Sequence, residues 1–315
     1  MIKLDLITGF LGSGKTTFLK LYAKYLIDKG ERICIIENDF GAINVDMVLL
    51  SELEGENCNL EMVVGGDGLE AHKRRLKTKL ISMAMLGYDR VIIEPSGIFD
   101  VDEFFDLLYE DPIDNWYEIG NVIAIVNLLQ EREMSLNSRY LFMSEVAQAG
   151  SIIFSRVDEC GSDAVDEMIQ RLNEVMKEFG CNRNIDKNNV VAKTLKTLGV
   201  SDFDSIVKSG FNRCEHVKMP VVESQDFNTL FYFDFCMNEN KLIEISRVIM
   251  SQDEFGNIHR IKGIIRTDTG EFHEINITRN DISTNVVKAE RGILILIGEQ
   301  LNKEKISEYL GKPSI

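Results

Sequence analysis

The chain of 315 residues lacks the features that mark several large classes of protein. Its six cysteines lie far apart and none belongs to a CxxC pair, which argues against both a zinc ribbon and a disulfide framework. No apolar run approaches the roughly 20 residues that a membrane-spanning helix needs. Met1 leads directly into a strand-like segment instead of a signal core. We therefore expect a cytoplasmic protein with reduced thiols and no membrane association.

Positive charge is also scarce. The chain has 35 Lys and Arg against 51 Asp and Glu, which gives a formal net charge of -16. Non-specific binding to nucleic acid or to an anionic membrane would bring like charges together, so both are excluded as partners. Any phosphate must then be held by a local site.

What the sequence does contain is an alternation of short apolar runs and helical patterns over its first two-thirds. Two segments, 16–29 and 163–179, place apolar residues on one helical face and stop at a glycine. The apolar runs have the composition of buried strands and occupy residues 2–8, 32–37, 90–94, 121–127 and 151–155. This pattern predicts an α/β fold, a three-layer arrangement with a mostly parallel sheet covered on both faces.

The hydrophobic pattern of the sequence changes near residue 195, where a polar, weakly periodic stretch begins and runs to about residue 225. The remaining chain predicts strands at 230–235, 260–267, 271–277 and 292–298, with helices at 240–251 and 302–310. We therefore predict two domains, 1–212 and 226–315, of which the second is a small α+β sandwich.

The stretch “ITGFLGSGKTTFL” (7–19) matches the pattern G-x-x-x-x-G-K-[ST] between a predicted strand and a predicted helix. Glycines allow backbone N–H groups to turn towards one phosphate, and the following helix adds its positive dipole end. We expect Lys15 to reach the β- and γ-phosphates of a nucleoside triphosphate and the Thr16 hydroxyl to ligate Mg²⁺. The alternative is a glycine-rich turn without a ligand, which would leave the lysine unexplained. The predicted phosphate-binding residues are Gly9, Gly12, Ser13, Gly14, Lys15, Thr16 and Thr17.

Three more polar segments follow predicted strands: “IIENDFG” (35–41), “VIIEPSG” (91–97) and “IIFSRVD” (152–158). The ends of parallel strands meet at one edge of the sheet, so these segments should lie beside the phosphate loop. Gly97 can offer a backbone N–H group to a γ-phosphate. We assign catalytic roles to Lys15, Asp39 and Glu94.

Together with the glycine-rich loop, these segments resemble the CobW family of P-loop GTPases and metallochaperones. The resemblance covers nearly the whole chain, because “RIKG” (260–263) and “LILIGEQLNKEKI” (294–306) are similar to the family's carboxyl-terminal domain. It implies a Mg²⁺-dependent GTPase that is slow without a partner. It also implies an unknown client protein, such as a metallo- or corrinoid-dependent target whose maturation or maintenance the GTPase assists.

The same resemblance implies a guanine-binding loop at Ser155, Arg156 and Asp158. Asp158 would accept hydrogen bonds from the guanine N1 and N2 groups, and the aliphatic part of Arg156 would stack on the base where the family usually has Lys. The alternative is an ordinary surface turn after a strand.

The family's C-x-C-C metal motif has no counterpart. The matching stretch is “VVGGDGLEAHKRR” (63–75), in which the cysteine positions become Asp67, Leu69 and Glu70. A Zn²⁺ or Co²⁺ thiolate site is therefore unexpected there. Glu37, Asp67 and Glu70 could instead form a hard oxygen site, or the two latter residues could simply favour the start of a helix.

Several alternatives remain open from the sequence. Arg74 or Arg75, in the basic run 72–79, could act in trans within a nucleotide-gated homodimer, or the run could be a solvated helix face. The protein could also be a P-loop kinase of a small molecule, or a metallochaperone with ligands that include Cys34 and Cys58. The pair Cys214 and His216 is too sparse to indicate a metal site.

Overall fold

The structure is a computed structural model that describes residues 1–39, 46–64, 69–99, 101–219 and 227–314. For five residues within these ranges it describes the backbone only: Asp39, Val48, Leu69, Glu70 and Glu103. The chain divides into two compact units, Met1–Pro220 and Val221–Ile315.

The first unit is built on a seven-stranded sheet whose described pairings are all parallel. Its order is β3-β2-β4-β1-β5-β6-β7. The strands are β1 (Ile2–Thr8), β2 (Ile33–Asp39), β3 (Cys58–Val64), β4 (Arg90–Pro95), β5 (Tyr117–Asn127), β6 (Ser151–Ser155) and β7 (Val190–Val191). Strands β4 and β6 are buried at every position, as expected when helices cover both faces of a sheet. The predicted α/β fold class is confirmed.

Eight α-helices of the first unit fall within the described residues. They are α1 (Lys15–Asp28), α2 (Asp46–Leu50), α3 (Leu69–Ala84), α4 (Val101–Leu108), α5 (Ile113–Trp116), α6 (Leu136–Ala147), α7 (Ala164–Glu178) and α8 (Val200–Ile206). Helix α1 buries Phe18, Leu19 and Tyr22 in a core that also contains Phe203 of α8. The opposite sheet face meets α3, where Sγ of Cys34 lies 3.4 Å from Sδ of Met83.

The predicted strand boundaries need correction at several places. Strand β5 begins at Tyr117, four residues before the predicted start, and β2 runs from Ile33 to Asp39. Strands β3 and β7 lie at the two edges of the sheet and were not predicted. Strand β3 is only partly buried, so it lacks the continuous apolar run that marks a central strand.

The second unit contains one five-stranded antiparallel sheet in the order β11-β10-β9-β12-β8. Its strands are β8 (Asn228–Phe233), β9 (Asn257–Arg266), β10 (Phe272–Ile277), β11 (Ile282–Val287) and β12 (Ile293–Glu299). The helix Glu239–Ser251 packs on β9 and β10, and the helix Lys303–Leu310 adds Ile306 and Leu310 to the same core. Strand β11 was not predicted, since this edge strand is half exposed and polar.

No helix within the described ranges has the length and apolar character needed to cross a membrane.

Candidate nucleotide-binding site

The glycine-rich loop joins β1 to α1 and has the backbone of a phosphate cradle. Gly9, Gly12 and Gly14 have φ values of 144°, 75° and 97°, a region that favours glycine. A Cβ atom at Gly9 would lie 2.2 Å from the carbonyl oxygen of Ile125, so the loop also approaches β5 too closely for a side chain. Helix α1 begins at Lys15, and its first-turn N–H groups and the positive end of its dipole therefore face this loop.

Lys15 is buried and lies between the phosphate loop and the loop after β4. Its Nζ donates a hydrogen bond to the carbonyl oxygen of Gly9 at 2.8 Å. A Cβ atom at Gly97 would lie 3.0 Å from this Nζ and 2.7 Å from the backbone nitrogen of Leu11. The structure thus brings Gly97 against the phosphate loop.

Glu94 connects the first turn of α1 to the neighbouring strands. The hydroxyl of Thr16 donates to Oε1 of Glu94 at 2.8 Å, and the β2–β4 register pairs Glu37 with Glu94. Burial, together with a smaller contribution from the carboxylate of Asp46, raises the pKa of Glu94 to about 7. The charge of Lys15 and hydrogen bonds from Thr16 and Glu37 act in the opposite direction. A carboxyl group with this pKa can take up or release a proton near neutral pH.

The donor set at Thr16 and Glu94 fits Mg²⁺. A hydroxyl and carboxylate oxygens are hard ligands, and Mg²⁺ in nucleotide sites is held by one or two protein groups together with phosphates and water. Within the part of the chain that the structure describes, no group of three or more His, Cys, Asp or Glu side chains could hold a metal ion.

The predicted guanine loop follows β6 and touches the phosphate loop. The hydroxyl of Ser155 donates to the carbonyl oxygen of Ser13 at 2.7 Å. Arg156 has a φ of 62° and pairs with Glu159 at 2.9 Å. Asp158 is exposed in the short 3₁₀ helix Val157–Glu159. The carboxylate is thus accessible to a base, whereas the Arg156 guanidinium already has a partner.

Three residues of this region were given no role by the sequence. The side-chain Nδ2 and Oδ1 atoms of Asn38 are buried and have no hydrogen-bond partner among the described residues. The backbone carbonyl oxygen of Asn38 accepts a hydrogen bond from the Ser96 N–H group at 2.8 Å. Asp46 lies in the five-residue helix α2, and Leu195 follows β7, 3.8 Å from where a Gly14 Cβ would be. Asn38 stands in the segment “IIENDFG”, so its position was a usable signal. Asp46 and Leu195 do not lie in a recognisable sequence motif.

Other predicted residues are not brought to this site or lie outside the described parts. Asp67 and the side chains of Asp39 and Glu70 are outside the described residues, so the hard oxygen site stays a prediction. Arg74 and Arg75 are exposed on α3, where Arg75 Nη1 donates to the carbonyl oxygen of Val64 at 2.7 Å.

The two cysteines considered for metal binding are separated by the sheet. Cys58 pairs in register with Ile33 and shares its core with α1, whereas Cys34 faces Met83 on α3. Burial raises the pKa of the Cys34 thiol to about 12 and that of Cys58 to about 11. Two thiols on opposite faces of one sheet point away from each other and do not form a common metal site.

Comparison with known proteins decides the family. The family model described as “CobW/HypB/UreG, nucleotide-binding domain” matches residues 4–181. The chain belongs to the CobW/HypB/UreG family. The matched region contains the phosphate loop, the segment from Glu94 to Gly97 and the segment from Ser155 to Asp158, so all of them lie in the nucleotide-binding domain of a P-loop GTPase family.

Two curated relatives of this CobW/HypB/UreG chain come from Escherichia coli K12. The zinc chaperone YeiR is 28% identical over 175 residues, which cover 54% of this chain and 51% of YeiR. The zinc chaperone YjiA is 26% identical over 182 residues, which cover 55% of each chain. The chain thus spans about half the length of the curated relatives it matches.

Two solved structures align with this chain at low TM-scores. The Zn(II)-bound YjiA GTPase from E. coli is 18% identical with a TM-score of 0.37, and the match covers 98% of this chain and 97% of YjiA. HypB from Helicobacter pylori in complex with nickel is 17% identical with a TM-score of 0.41, over 65% of this chain and 83% of HypB.

Proposed function

We propose that this protein is a Mg²⁺-dependent switch of the CobW type that binds and hydrolyses GTP. Its role is to assist the maturation or maintenance of a metallo- or corrinoid-dependent client protein in the cytoplasm. One observation carries the proposal: Lys15, Gly97 and the hydrogen-bonded pair of Thr16 and Glu94 converge at the start of α1. A family model over residues 4–181 supports the same conclusion.

The phosphates would be held mainly by the backbone. The amides before Lys15 surround one phosphate, and the ammonium group moves from the Gly9 carbonyl oxygen to the β- and γ-phosphates. Thr16 and Glu94 would hold Mg²⁺, with Glu37 beside them, and the bound ion would neutralise charge on the phosphate oxygens. Gly97 would donate its backbone N–H group to the γ-phosphate, so that the loop after β4 senses whether that group is present.

Hydrolysis would depend on carboxylates at the strand ends. Asp39 is the candidate that would accept a proton from the attacking water, whereas Glu94 would act through the Mg²⁺ that it helps to hold. The positive charge that stabilises the transition state would come from a client or from Arg74 or Arg75 of a second copy in a nucleotide-gated dimer. Turnover of the isolated protein should then be about 10⁻⁴ to 10⁻² s⁻¹, and the added charge should raise it by about 10³ to 10⁵.

Guanine preference would rest on the loop after β6. The exposed Asp158 carboxylate would accept hydrogen bonds from N1 and N2 of the base, which adenine cannot supply. Ser155 would hold this loop against the phosphate loop through its bond to Ser13.

The test is a calorimetric titration of GTP, GDP and ATP in Mg²⁺ against Lys15→Ala and Asp158→Asn, with Lys24→Ala and Asp163→Asn as exposed controls. We expect Lys15→Ala to weaken GTP binding by about 100-fold or more, which is about 2.7 kcal/mol. Asp158→Asn should reduce the preference for GTP over ATP by about tenfold and leave the phosphate contacts intact. Wild-type protein that binds none of the three nucleotides would overturn the proposal.

A second candidate function is zinc delivery, because curated relatives are zinc chaperones. We propose that this chain lacks ordinary delivery through C-x-C-C, since Asp67, Leu69 and Glu70 occupy the cysteine positions and supply no soft ligand. Zn²⁺ and Co²⁺ titrations of tag-free protein, with and without GTP, should detect no tight site. Stoichiometric, sub-micromolar Zn²⁺ binding that Glu37→Gln weakens would instead support a hard oxygen site at Glu37.

A further inference from the structure

The last described segment of the first unit is an extended strap, residues 211–219, that lies along the nucleotide-binding unit. Phe211 forms a bridge with Ala149, and Asn212 N–H donates to the carbonyl oxygen of Gln148 at 2.9 Å. Further along, Val217 N–H donates to the carbonyl oxygen of Phe179 at 2.9 Å. The strap is therefore fixed at both ends to the turns that follow α6 and α7.

Side chains of the strap alternate between solvent and protein. Arg213, Glu215 and Val217 are exposed, whereas Cys214 and His216 face inwards. The His216 side chain is only 3% exposed. This alternation is that of an extended chain with one face packed, and it directs the Cys214 thiol at the nucleotide-binding unit.

The inward Cys214 meets a second cysteine. Cys181 follows α7 and is held by its N–H bond to the carbonyl oxygen of Met176 at 2.8 Å. Cys181 lies two residues after Phe179, and Cys214 lies three residues before Val217. The backbone hydrogen bond from Val217 to Phe179 therefore brings the two cysteines close to each other. Their thiols are hydrogen-bonded to each other, and both cysteines are reduced.

A guanidinium group lies beside this dithiol. Arg183 donates from Nη1 to the carbonyl oxygens of Val146 and Ala147, both at 2.8 Å. Its Nη2 is buried and has no hydrogen-bond partner in the described parts of the chain. A buried positive charge opposes a cation at the two thiols, and it partly offsets the effect of burial, which keeps the Cys214 thiol protonated. The surroundings therefore suit a pair of thiols better than a metal ion.

We propose that Cys181 and Cys214 are a modification site that forms a reversible disulfide by exchange with a small disulfide such as oxidised glutathione. The Cys214 thiolate attacks one sulfur of oxidised glutathione, forms a mixed disulfide and releases a glutathione thiolate, which takes the proton that Cys214 lost. The Cys181 thiolate then attacks the Cys214 sulfur and releases the second glutathione. Two protein thiols are oxidised and one glutathione disulfide is reduced to two thiols.

The first step depends on movement of the strap. Burial raises the pKa of the Cys214 thiol to about 12, while the charge of Arg183 acts in the opposite direction. The thiolate therefore forms when the strap is lifted and the thiol meets water, so exchange is slow in the closed form. Once formed, the disulfide fastens the strap to the turn after α7.

The experiment is peptide mapping without reductant. Purified full-length protein is held in mixtures of reduced and oxidised glutathione until the number of free thiols is constant, and it is then alkylated and digested with trypsin. Cleavage after Lys177, Arg183, Arg213 and Lys218 places the two cysteines in separate short peptides, 178–183 and 214–218. We expect a linked pair of these peptides with a mass two hydrogens below their sum, and reductant should separate them.

Matched variants establish specificity. Cys214→Ser should abolish the linked pair, and Cys236→Ser, which removes an exposed cysteine, should leave it unchanged. Circular dichroism confirms that both variants fold. The proposal fails if Cys236 forms a mixed disulfide with glutathione in a mixture where peptides 178–183 and 214–218 stay unlinked. It also fails if unfolded protein forms the same link to the same extent.

Discussion

At the residue scale, Gly97 is the position where one added carbon atom should weaken GTP binding more than GDP binding. Its α-carbon has no space for a side chain, because a Cβ atom would lie 2.7 Å from Leu11 N and 3.0 Å from Lys15 Nζ. Gly97→Ala should therefore displace the lysine or the loop that faces the γ-phosphate. We expect GTP affinity to fall by about tenfold or more, or about 1.4 kcal/mol, with a smaller loss for GDP.

Calorimetry of both nucleotides measures this difference. Gly55→Ala is the matched control, because a Cβ atom there would meet nothing within 4 Å. Equal loss of GTP and GDP affinity in Gly97→Ala would show that the loop supports the whole nucleotide and does not sense its terminal phosphate.

Also at the residue scale, Glu94 should make stability depend on pH in protein free of nucleotide and Mg²⁺. Burial raises its pKa from 4.5 to about 7, so between these values the folded protein binds more protons than the unfolded chain. The free energy of unfolding should then fall as pH rises through this window. Glu94→Gln removes this titration. The free energy of unfolding of the variant, relative to that of wild type, should therefore increase by up to about 3 kcal/mol as the pH is raised from 4 to 8.

Urea denaturation at a series of pH values measures this effect, with EDTA present. Glu308→Gln, which alters an exposed carboxylate, should follow the wild-type curve. Parallel curves for wild type and Glu94→Gln would mean that the carboxyl group is not protonated in the folded protein.

At the scale of elements, a buried polar network joins β1, β4, β5 and α1. Asp5 of β1 accepts hydrogen bonds from Arg90 Nη1, the Tyr22 hydroxyl and Asn121 N–H, each at 2.7 Å. Arg90 also pairs with Glu31 at 2.8 Å. These bonds hold the strands in the register that places the phosphate loop and Glu94 at the same edge of the sheet.

Loss of Arg90 should destabilise the first unit strongly. Arg90→Ala leaves the Asp5 carboxylate, which is 0% exposed, without its cation, and removal of one partner of a buried pair costs about 3 to 5 kcal/mol. Arg132→Ala is the control, since Arg132 pairs with Glu167 at side-chain exposures of 79% and 60%, and such pairs contribute about 1 kcal/mol or less. Equal midpoints for the two variants in urea denaturation would contradict the importance of the buried pair.

At the scale of the whole molecule, the chain forms two compact units and each has its own apolar core. Every residue of the candidate nucleotide site that the structure describes belongs to the first unit. The fragment Met1–Pro220 should therefore fold and bind GTP with a dissociation constant within about threefold of the full chain, a difference below about 0.7 kcal/mol. Fluorescence titration with a labelled GTP analogue measures this. A folded fragment that has lost GTP binding would show that the second unit contributes to the site.

The sequence by itself determined the fold class and the place of the phosphate loop. Buried parallel strands are continuous apolar runs, and the loop from Gly9 to Thr16 is a continuous motif, so both can be read from neighbouring residues. The segments that end β2, β4 and β6 could be placed together for the same reason, because parallel strands end at one edge of the sheet.

Only the tertiary structure decided the features that arise between distant segments. The raised pKa of Glu94 depends on burial and on Asp46, which lies 48 positions earlier in the chain. Strands β3, β7 and β11 lie at sheet edges, where partial exposure removes the apolar pattern. The contact between Cys181 and Cys214 exists because the strap returns to the turn after α7. Local patterns report local conformation, whereas burial, charge and pairing across the fold depend on which distant residues the chain brings into contact.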